Sequence, residues 1–559
     1  MTTAITPTVH PDLAAHARLY DKRVEQVTDR VFVAIGYGLA NTIMIVGDGG
    51  VIIVDVMESV PAAAEARDAL RAFSDLPVRA LVYTHGHPDH VWGGRAWVPE
   101  GQEEGIEIYA HETVTHFVNE FANVLAPRYT YGAMHMYGSL LPESDEGFVV
   151  NGIGPRVQAA GERGYLAPTH TFAVEDAIEV AGVRLELVFA PGESPDQIFV
   201  HLPDDGVMLS GDTVYQSFPN IYTIRGARFR DPRDWYTSVD KIRSFGATHL
   251  VPCHGGPISG AAEVAETLTA YRDGIQYVFD QTVRGMNQGR SMDELATMVQ
   301  LPPHLAAHPY LREIYGSVEF CVREIFAGLY GWYGGDSGAL APPPPAEESA
   351  EIVALAGGVD AAVAALADAV DGDRLRWAAR LGSHILRVDP DHAAARTLQA
   401  TTLRRLAYAT ANANARNWWL TEAGRLDGTI PITPELGAVV ARMQSSGLVG
   451  GVPIEETVAA LAVRLDPAAA GDVERTLVIR VADGPQVLTL ALRRGVCAIE
   501  RAVPDAPDVA VSLGRSALVS LVVGETTWAD ALASGAASVT TGSAEALLET
   551  VALFDGWSS

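Results

Sequence analysis

The strongest constraint on this chain comes from residues 81–90, which read LVYTHGHPDH. The run Arg79–Tyr83 predicts a short buried strand, which Gly86 and Pro88 end in an exposed turn. That turn holds three histidines and one aspartate, and imidazole nitrogens together with carboxylate oxygens suit zinc and similar ions. A histidine-rich surface loop is the alternative. Because the ligand types follow a strand end directly, we predict metal binding.

Potential metal ligands also follow three later strands. Glu193 comes after the strand-like stretch 172–190, Asp212 comes directly after the stretch 206–211, and His254 follows the run HLVPC. Side chains at the same edge of packed sheets can meet although they are far apart in sequence. We therefore expect one site built from four strand ends. Within the first turn, side chains two positions apart can bind one ion, whereas Asp89 and His90 point to a second.

The size and composition of the chain describe a globular protein of several domains. Its 559 residues allow roughly two to four domains, with 48% hydrophobic and 19% charged residues. The longest apolar runs are shorter than a membrane span, so no stable membrane insertion is expected. The N-terminus lacks the basic and apolar regions of a Sec signal, and the three cysteines include no CxxC pair. These features favour a cytoplasmic location, with export by another route left open.

The charge of the chain limits its partners. With a net charge of −29, it repels nucleic acid and anionic membranes over long range, so no nucleic-acid partner is expected. One segment departs from this acidic character. It holds four arginines within nine residues, here called the arginine cluster: Arg225, Arg228, Arg230 and Arg233. An anionic ligand is expected to meet this cluster.

Together the motifs His-x-His-x-Asp-His, Pro-Gly-x, Gly-Asp and a final His resemble those of the metallo-β-lactamase superfamily. The resemblance implies an α/β fold, in which an αββα sandwich carries a dinuclear metal site at one edge. It also implies two Zn²⁺ as cofactors, although manganese and iron occupy similar ligand sets. On the superfamily pattern, one metal takes His85, His87 and Glu193, and the other takes Asp89, His90 and His254, with Asp212 bridging.

Two features narrow the resemblance to the alkyl sulfatase family. A Pro-Gly pair is followed by Glu193, where most of the superfamily has a third histidine, and residues 220–227 read NIYTIRGA. In alkyl sulfatases a similar segment holds the sulfate group, which implies that Asn220 and Arg225 bind sulfate here. The implied reaction is hydrolysis of an anionic amphiphile, a dodecyl-sulfate-like alkyl sulfate, to alcohol and inorganic sulfate.

The charges of the implied ligands indicate that side chains outside the metal centre recognise the substrate. Two Zn²⁺ are balanced by Asp89, Glu193, Asp212 and a bridging hydroxide, which leaves the centre neutral. A neutral centre attracts an anionic ester weakly, whereas a guanidinium fork such as Arg225 matches a tetrahedral oxyanion in bidentate fashion. The metal pair would lower the pKa of bound water towards about 7. We therefore expect Asp89, Asn220 and Arg225 to take part in catalysis.

The segment 121–166 has an irregular, loop-rich pattern, which is typical of a lid or a substrate wall. Its aromatic and methionine side chains are expected to bind the alkyl tail, and the candidates are Tyr137, Met134 and Met136.

A proline-rich linker, APPPP at 341–345, follows a predicted catalytic domain at 1–340. Residues 346–430 have helical spacing, and their run ARNWWL resembles the signature of alkyl sulfatase dimerisation domains. That resemblance implies a homodimer; a monomeric helical spacer is the alternative. Residues 431–559 have an α+β pattern that resembles a sterol-carrier-like domain, the usual C-terminal module of this family. Its apolar residues could form a ligand groove or an ordinary core.

Three positions depart from the alkyl sulfatase pattern. Pro219 replaces a histidine before the asparagine and cannot transfer a proton to the leaving group. Asp212 in Gly-Asp replaces a glutamate in Ala-Glu, and residues 335–337 read GDS instead of Gly-Asn-Pro. The alternatives are another acid, a substrate that needs less help in leaving, or a changed activity.

Two other functions compete with sulfate ester hydrolysis. Another dinuclear hydrolase of the same fold would act on a lactone, a thioester or a β-lactam, but these neutral electrophiles need no arginine clamp. A lipid-binding or scaffolding protein would hold a structural metal, for which a closed set of four ligands is typical. Seven candidate ligands argue against that second alternative.

Overall fold

Two β-sheets lie face to face in the first half of the chain, in a computed structural model that describes residues 8–157 and 161–557. The first sheet has seven strands in sequence order: β1 (Arg23–Gln26), β2 (Val31–Ile35), β3 (Thr42–Gly47), β4 (Gly50–Val54), β5 (Val78–Val82), β6 (Glu107–His111) and β7 (His170–Phe172). The second sheet has six: β8 (Glu175–Val180), β9 (Val183–Phe189), β10 (Ile198–Leu202), β11 (Val207–Gly211), β12 (His249–Pro252) and β13 (Ile258–Ser259).

The strands of both sheets pair with their neighbours in sequence. β2, β3 and β4 form an antiparallel meander, and β4 to β7 are parallel. In the second sheet β8 to β11 are antiparallel neighbours, and β11 runs parallel to β12. Parallel strands place their carboxyl ends at one edge of a sheet, so β5, β11 and β12 deliver the turns that follow them to a common edge.

Helices cover the outer faces of both sheets. In chain order they are α1 (Pro11–Ala17), α2 (Val60–Leu70), α3 (Pro88–Val91), α4 (Gly94–Trp97), α5 (Val114–Asn119), α6 (Ala126–Met136), α7 (Pro232–Ser244), α8 (Ala261–Asn287), α9 (Met292–Met298), α10 (Pro303–Ala306) and α11 (Val318–Tyr330). Alternate residues of β2 and β9, such as Val33 and Leu185, fill the layer between the sheets. α2 packs on the outer side of the first sheet and α7 and α8 pack on the second. The predicted αββα sandwich is confirmed.

The second half of the chain begins with a helical region and ends in a third sheet. The remaining helices are α12 (Pro345–Leu355), α13 (Val359–Asp371), α14 (Leu375–Val388), α15 (Ala393–Ala409), α16 (Ala413–Asp427), α17 (Pro434–Val449), α18 (Ile454–Ala459), α19 (Pro467–Ala470), α20 (Arg515–Val523), α21 (Trp528–Ala533) and α22 (Ala544–Val551). The third sheet contains β14 (Glu474–Val481), β15 (Val487–Arg493), β16 (Val496–Glu500), β17 (Val509–Leu513) and β18 (Ala537–Thr541), in the spatial order β16-β15-β14-β17-β18. A helical domain and an α+β domain were both predicted, whereas β17 and β18 were not.

The segment 121–166 contains a helix that the sequence pattern did not predict. A π-helical turn at Glu120–Val124 leads into the eleven-residue α6. Pro127 lies in the first turn of α6, where proline favours a helix start. The mixed aromatic, glycine and methionine content of the segment hides the helical period, so the prediction of a purely irregular segment was wrong.

The helical region docks on this segment through the predicted ARNWWL run. Arg416 is fully buried, and its guanidinium donates to the carbonyl oxygens of Thr8 and Asp145, each at 2.6 Å. The Asn417 amide donates to the carbonyl oxygen of Met136 at 3.2 Å. A Cβ at Gly447 of α17 would overlap the carbonyl oxygen of Arg163, so this glycine lets α17 approach closely. The ARNWWL run therefore joins the helical region to the segment 121–166 of the same chain.

Within the described residues, no single helix is long and apolar enough to cross a membrane. The pair α12 and α13 has the length and composition together but is bent by 82° at its break.

Candidate metal centre

The four predicted strand ends meet at one edge of the sandwich. His85, His87, Asp89 and His90 lie in the turn after β5 and in α3, and Asp212 follows β11. His254 follows β12, and Glu193 lies in the loop between β9 and β10. All seven side chains are buried. The parallel order of β5 with its neighbours and of β11 with β12 explains why sequence-distant turns lie side by side.

Two groups of ligand atoms face each other across Asp212. In the first group His85 Nε2 lies 2.7 Å from His87 Nδ1 and 3.6 Å from Asp212 Oδ2. In the second group His90 Nε2 lies 3.5 Å from Asp89 Oδ2, and His254 Nε2 lies 3.6 Å from the same oxygen. Asp212 reaches both groups, because its Oδ2 atom lies 3.6 Å from His85 Nε2 and 3.4 Å from His90 Nε2, and its Oδ1 atom lies 3.3 Å from His254 Nε2. This is the arrangement expected of a bridging carboxylate.

Hydrogen bonds fix which nitrogen of each histidine is free to bind a metal. His254 Nδ1 lies 2.9 Å from the carbonyl oxygens of Leu39 and Ile153, so it carries the proton and donates. His90 Nδ1 lies 2.7 Å from a carboxylate oxygen of Asp55, which gives the same tautomer. The Nε2 atoms of His90 and His254 and the Oδ1 atom of Asp212 are then buried without a hydrogen-bond partner among the described residues. Buried polar atoms of this kind demand a partner, and a metal ion fits their chemistry.

The electrostatics of the two groups differ. Burial, with His90 as the next cause, lowers the pKa of His85 to about 3. Burial likewise lowers the pKa of His87 well below its usual value. Burial opposes protonation of His90, but Asp212 and other carboxylates outweigh it and raise the pKa of His90 well above its usual value. His85 and His87 therefore favour the neutral imidazole, which is the form that binds a metal, whereas the carboxylates beside His90 favour a positive charge there.

Glu193 has a partner that the sequence did not reveal. Its Oε1 atom accepts a hydrogen bond from Arg230 Nη1 at 2.9 Å, and both side chains are 3% exposed. The same Arg230 nitrogen donates to the carbonyl oxygen of Asn220 at 2.6 Å. The Oε2 atom of Glu193 is buried without a hydrogen-bond partner in the described part of the chain. One oxygen is thus held by an arginine, and the other is available to a metal.

Asp55 orients His90 from outside the two groups of ligand atoms, and the sequence did not reveal this role. It follows β4, and its carboxylate accepts from Thr84 N and Thr84 Oγ1, both at 2.8 Å, and from Cys253 Sγ at 2.9 Å. Its fourth contact is His90 Nδ1. The only sequence signal was an aspartate at the end of an apolar strand. Its role depends on residues such as Cys253, which lies more than 190 positions further along the chain.

We expect Asp55→Asn to lower metal affinity by about ten- to a hundredfold, because His90 would lose the acceptor that fixes its tautomer. Metal dissociation constants measured by competition with a chelator test this. Cys253→Ala is the matched control, since it removes only a weak thiol donor from the same carboxylate. Equal affinities for Asp55→Asn and the wild type would contradict the role of Asp55.

An apolar cavity opens directly on the metal ligands. It has a volume of about 130 Å³, and its lining includes His87, Asp89, Glu193 and Asp212 at one end. α6 contributes Met134, Thr130 and Ala133, and α17 contributes Val440, Ala441 and Leu448. Three residues from the last third of the chain therefore line this cavity, although the predicted boundary at 431 assigned them to a separate domain.

The predicted substrate residues fall in different places around this cavity. Arg225, Tyr137 and Met134 line it, as expected of sulfate and tail contacts. Met136 does not, because it is fully buried and its sulfur accepts a hydrogen bond from Thr223 Oγ1 at 3.1 Å. The expectation for Met136 was wrong. Asn220, which was also predicted to bind sulfate, is buried and is absent from the described lining of this cavity. Its backbone carbonyl oxygen accepts from Arg230, and its Nδ2 has no hydrogen-bond partner among the described residues.

Arg225 remains cationic in this apolar setting. Burial disfavours its charge, but Tyr137 and Tyr315 raise the pKa of its guanidinium above the usual value. Its guanidinium lies 5.2 Å from the ring centre of Phe121, and Nη1 donates to the carbonyl oxygen of Gly226 at 3.0 Å. No carboxylate in the described ranges forms an ion pair with it. The cavity therefore contains a buried cation, Arg225, that is available to bind an anionic ligand.

Gly132 of α6 positions Arg225. A Cβ at residue 132 would lie 2.5 Å from the Arg225 carbonyl oxygen and 2.9 Å from its Cα. We expect Gly132→Ala to displace the backbone of Arg225 and to raise KM for the substrate by about tenfold or more. Steady-state kinetics test this, with Gly450→Ala as control because nothing lies within 4 Å of the added methyl. An unchanged KM would show that the contact does not set the position of Arg225.

A second, polar pocket meets the first at the metal ligands. It has a volume of about 300 Å³ and shares His87, Phe121, Tyr129 and Glu193 with the apolar cavity. The rest of its lining includes the loop 191–195 and residues 227–231. Its outer part reaches solvent, since the Arg228 side chain is 53% exposed.

Sequence models of three protein families match consecutive parts of the chain. They are the metallo-beta-lactamase superfamily at residues 35–254, alkyl sulfatase dimerisation at 291–428 and alkyl sulfatase C-terminal at 442–558. The dimerisation match begins at residue 291, inside the region that the sequence analysis assigned to the catalytic domain.

Whole-chain relatives agree with these matches. A linear primary-alkylsulfatase from a Pseudomonas strain is 39% identical over 489 residues, which cover 86% of this chain and 92% of that enzyme. An (R)-specific secondary-alkylsulfatase from Pseudomonas is 29% identical over 503 residues, or 88% of this chain and 74% of that enzyme. The solved structure of the stereoselective inverting sec-alkylsulfatase Pisa1 from Pseudomonas superposes with a TM-score of 0.92 at 26% identity, over 98% of this chain and 87% of that one.

Proposed function

Because this chain belongs to the alkyl sulfatase family and is a sulfuric ester hydrolase of the metallo-β-lactamase fold, we propose that it hydrolyses dodecyl-sulfate-like esters at a dinuclear zinc centre. The products are the alcohol, inorganic sulfate and a proton, formed from the ester and one water. One observation supports the substrate class above the others. Arg225 is a buried cation without a carboxylate partner among the described residues, in an apolar cavity beside the metal ligands.

In this proposal His85 and His87 would hold one metal together with Glu193, whose Oε2 atom is buried without a hydrogen-bond partner among the described residues. Asp89, His90 and His254 would hold the other, and Asp212 is within reach of both groups. When bound, such a pair lowers the pKa of water and so supplies a nucleophile at neutral pH. The protein residues do the rest of the work. Arg225 binds the sulfate oxygens through its guanidinium fork, and the cavity walls exclude water from the alkyl chain. Tyr137 lies beside Arg225, so it contacts the bound ester near the sulfate.

Two measurements test the proposal together. Elemental analysis of the purified protein is expected to find two equivalents of zinc per chain, and dodecyl sulfate is expected to release dodecanol and sulfate. Lactone, thioester and nitrocefin substrates should turn over poorly, because they carry no anion for Arg225. One tightly held metal without turnover would instead support a structural metal site, and fast nitrocefin turnover would support another hydrolase.

We also propose that the protein is a homodimer. Large apolar side chains are exposed near the start of the helical region, with Trp332 70%, Leu355 87% and Trp377 48% exposed. Exposed apolar groups of this size are typical of association surfaces. Light scattering coupled to gel filtration should give about twice the 59.5 kDa mass of one chain. A mass of one chain at micromolar concentration would contradict this proposal.

A further inference from the structure

Only one member of the arginine cluster is in the described lining of the apolar cavity. Arg225 lines the apolar cavity, whereas Arg228 and Arg230 line the polar pocket. Arg233 forms an ion pair with Asp231, which lies in the same lining. The remaining arginines thus surround a second route to the metal ligands.

The two cavities differ in what they can hold. The apolar cavity is lined by side chains of α6 and α17, such as Ala133 and Leu448, which suit an alkyl chain. The polar pocket meets it at His87, Phe121, Tyr129 and Glu193 and has no residue of α17 in its described lining. An ester bound by Arg225 with its tail in the apolar cavity therefore leaves the polar pocket unfilled.

Hydrolysis creates two products that need different surroundings. The alcohol keeps its apolar tail in the first cavity, while sulfate is a dianion with a strong hydration shell. A sulfate ion that left past the alcohol would cross an apolar wall, where an unpaired charge is costly. The polar pocket also has aromatic side chains in its lining, such as Phe117 and Phe229. It places two arginines, Arg230 and Arg228, along the path to solvent, and the Arg228 side chain is 53% exposed.

Arginines pair with three of the four carboxylates in the described lining of the polar pocket, namely Glu193, Glu120 and Asp231. Arg230 Nη1 holds Glu193 at 2.9 Å at the inner end, and Arg228 Nη2 holds Glu120 at 2.9 Å further out. The fourth carboxylate of the lining, Asp234, is next in sequence to Arg233. The Glu120–Arg228 pair joins the π-helical turn to the loop that carries Arg225, and an exposed ion pair of this kind is weak enough to exchange partners.

We propose that the polar pocket is the exit route for inorganic sulfate, with Arg230 and then Arg228 as successive cation sites. Arg228 exchanges Glu120 for the departing dianion and thereby opens the outer part of the pocket. The alcohol leaves separately through the apolar cavity. This inference rests on the proposed sulfatase function, because it needs sulfate as a product.

Rapid-quench kinetics with dodecyl sulfate test the route in two variants of the full-length, metal-loaded protein. Arg228→Glu replaces the outer cation by an anion, and Ala227→Trp narrows the same lining without a change of charge. Arg243→Glu is the matched control, since Arg243 pairs with Asp240 on α7, outside both cavities, and the change in net charge is equal.

We expect the first equivalent of dodecanol to form at the wild-type rate in both variants, followed by steady-state turnover slowed about tenfold because sulfate release has become limiting. Arg243→Glu should show neither effect. A burst in either variant supports the exit route. A steady-state rate equal to wild type in both, or a first turnover slowed as much as the steady state, overturns it. A wild-type protein that forms no dodecanol would contradict the proposed function itself, which keeps the two failures distinct.

Discussion

Replacing Arg225 by alanine is expected to lower kcat/KM for dodecyl sulfate by on the order of 10³-fold while metal content stays at the wild-type value. The reason is that the apolar cavity would lose the cation that is proposed to bind the sulfate group, and a neutral metal centre would not take its place. Arg163 is the other arginine in the described lining of this cavity. Among the described residues, no hydrogen bond or ion pair joins Arg225 to a proposed metal ligand, so the metals should remain. Steady-state kinetics together with elemental analysis measure both quantities on one sample.

Arg225→Lys is the informative partner of that variant. It keeps the positive charge but loses the fork that binds two oxygens at once, so a partial recovery of activity is expected. Full activity in Arg225→Ala would remove Arg225 from sulfate binding, and loss of metal in the same variant would assign it a structural role.

The second large effect is expected for Glu193→Ala. This change removes a proposed metal ligand and at the same time leaves the Arg230 guanidinium buried without its carboxylate. Breaking such a buried pair by removing one partner costs about 3–5 kcal/mol of unfolding free energy. We therefore expect loss of one metal equivalent and a lower unfolding midpoint in denaturant. Both are measured on the purified variant.

Two further variants separate these effects. Glu193→Gln keeps the shape and can still accept from Arg230, so it should lose metal affinity with a smaller loss of stability. Glu193→His restores the common superfamily ligand, but it places an imidazole against Arg230, so it should recover the second metal poorly. Wild-type metal content and stability in Glu193→Ala would contradict the ligand role of Glu193.

The sequence predicts those parts of the site whose residues are contiguous or follow a strong pattern. The turn 85–90 follows a buried strand, and the parallel order of the strands brings it beside Asp212 and His254. The residues that hold these side chains were not predictable in the same way. Asp55 and Arg230 act through contacts with residues that only the folded chain brings near, such as Cys253 and Glu193.

The segment 121–166 shows what the composition of a segment leaves undetermined. Its composition led to a correct expectation that it forms a wall of the substrate cavity, but not to its helix α6. Met134 and Met136 are both on this helix, two positions apart, and they point in different directions. The first lines the cavity and the second is packed in the core. Without the helix, the sequence offered no reason to separate them.

The contribution of α17 to the catalytic cavity bears on how this enzyme can be engineered or divided. Val440 and Leu448 lie more than 200 residues beyond Arg225, yet all three face the same space. A truncated chain that ends at the proline-rich linker would keep every proposed metal ligand and lose one side of the substrate cavity. The C-terminal part is therefore not an independent module. We expect that exchanging it for that of a relative would change the preferred length of the alkyl chain as well as the surface of the protein.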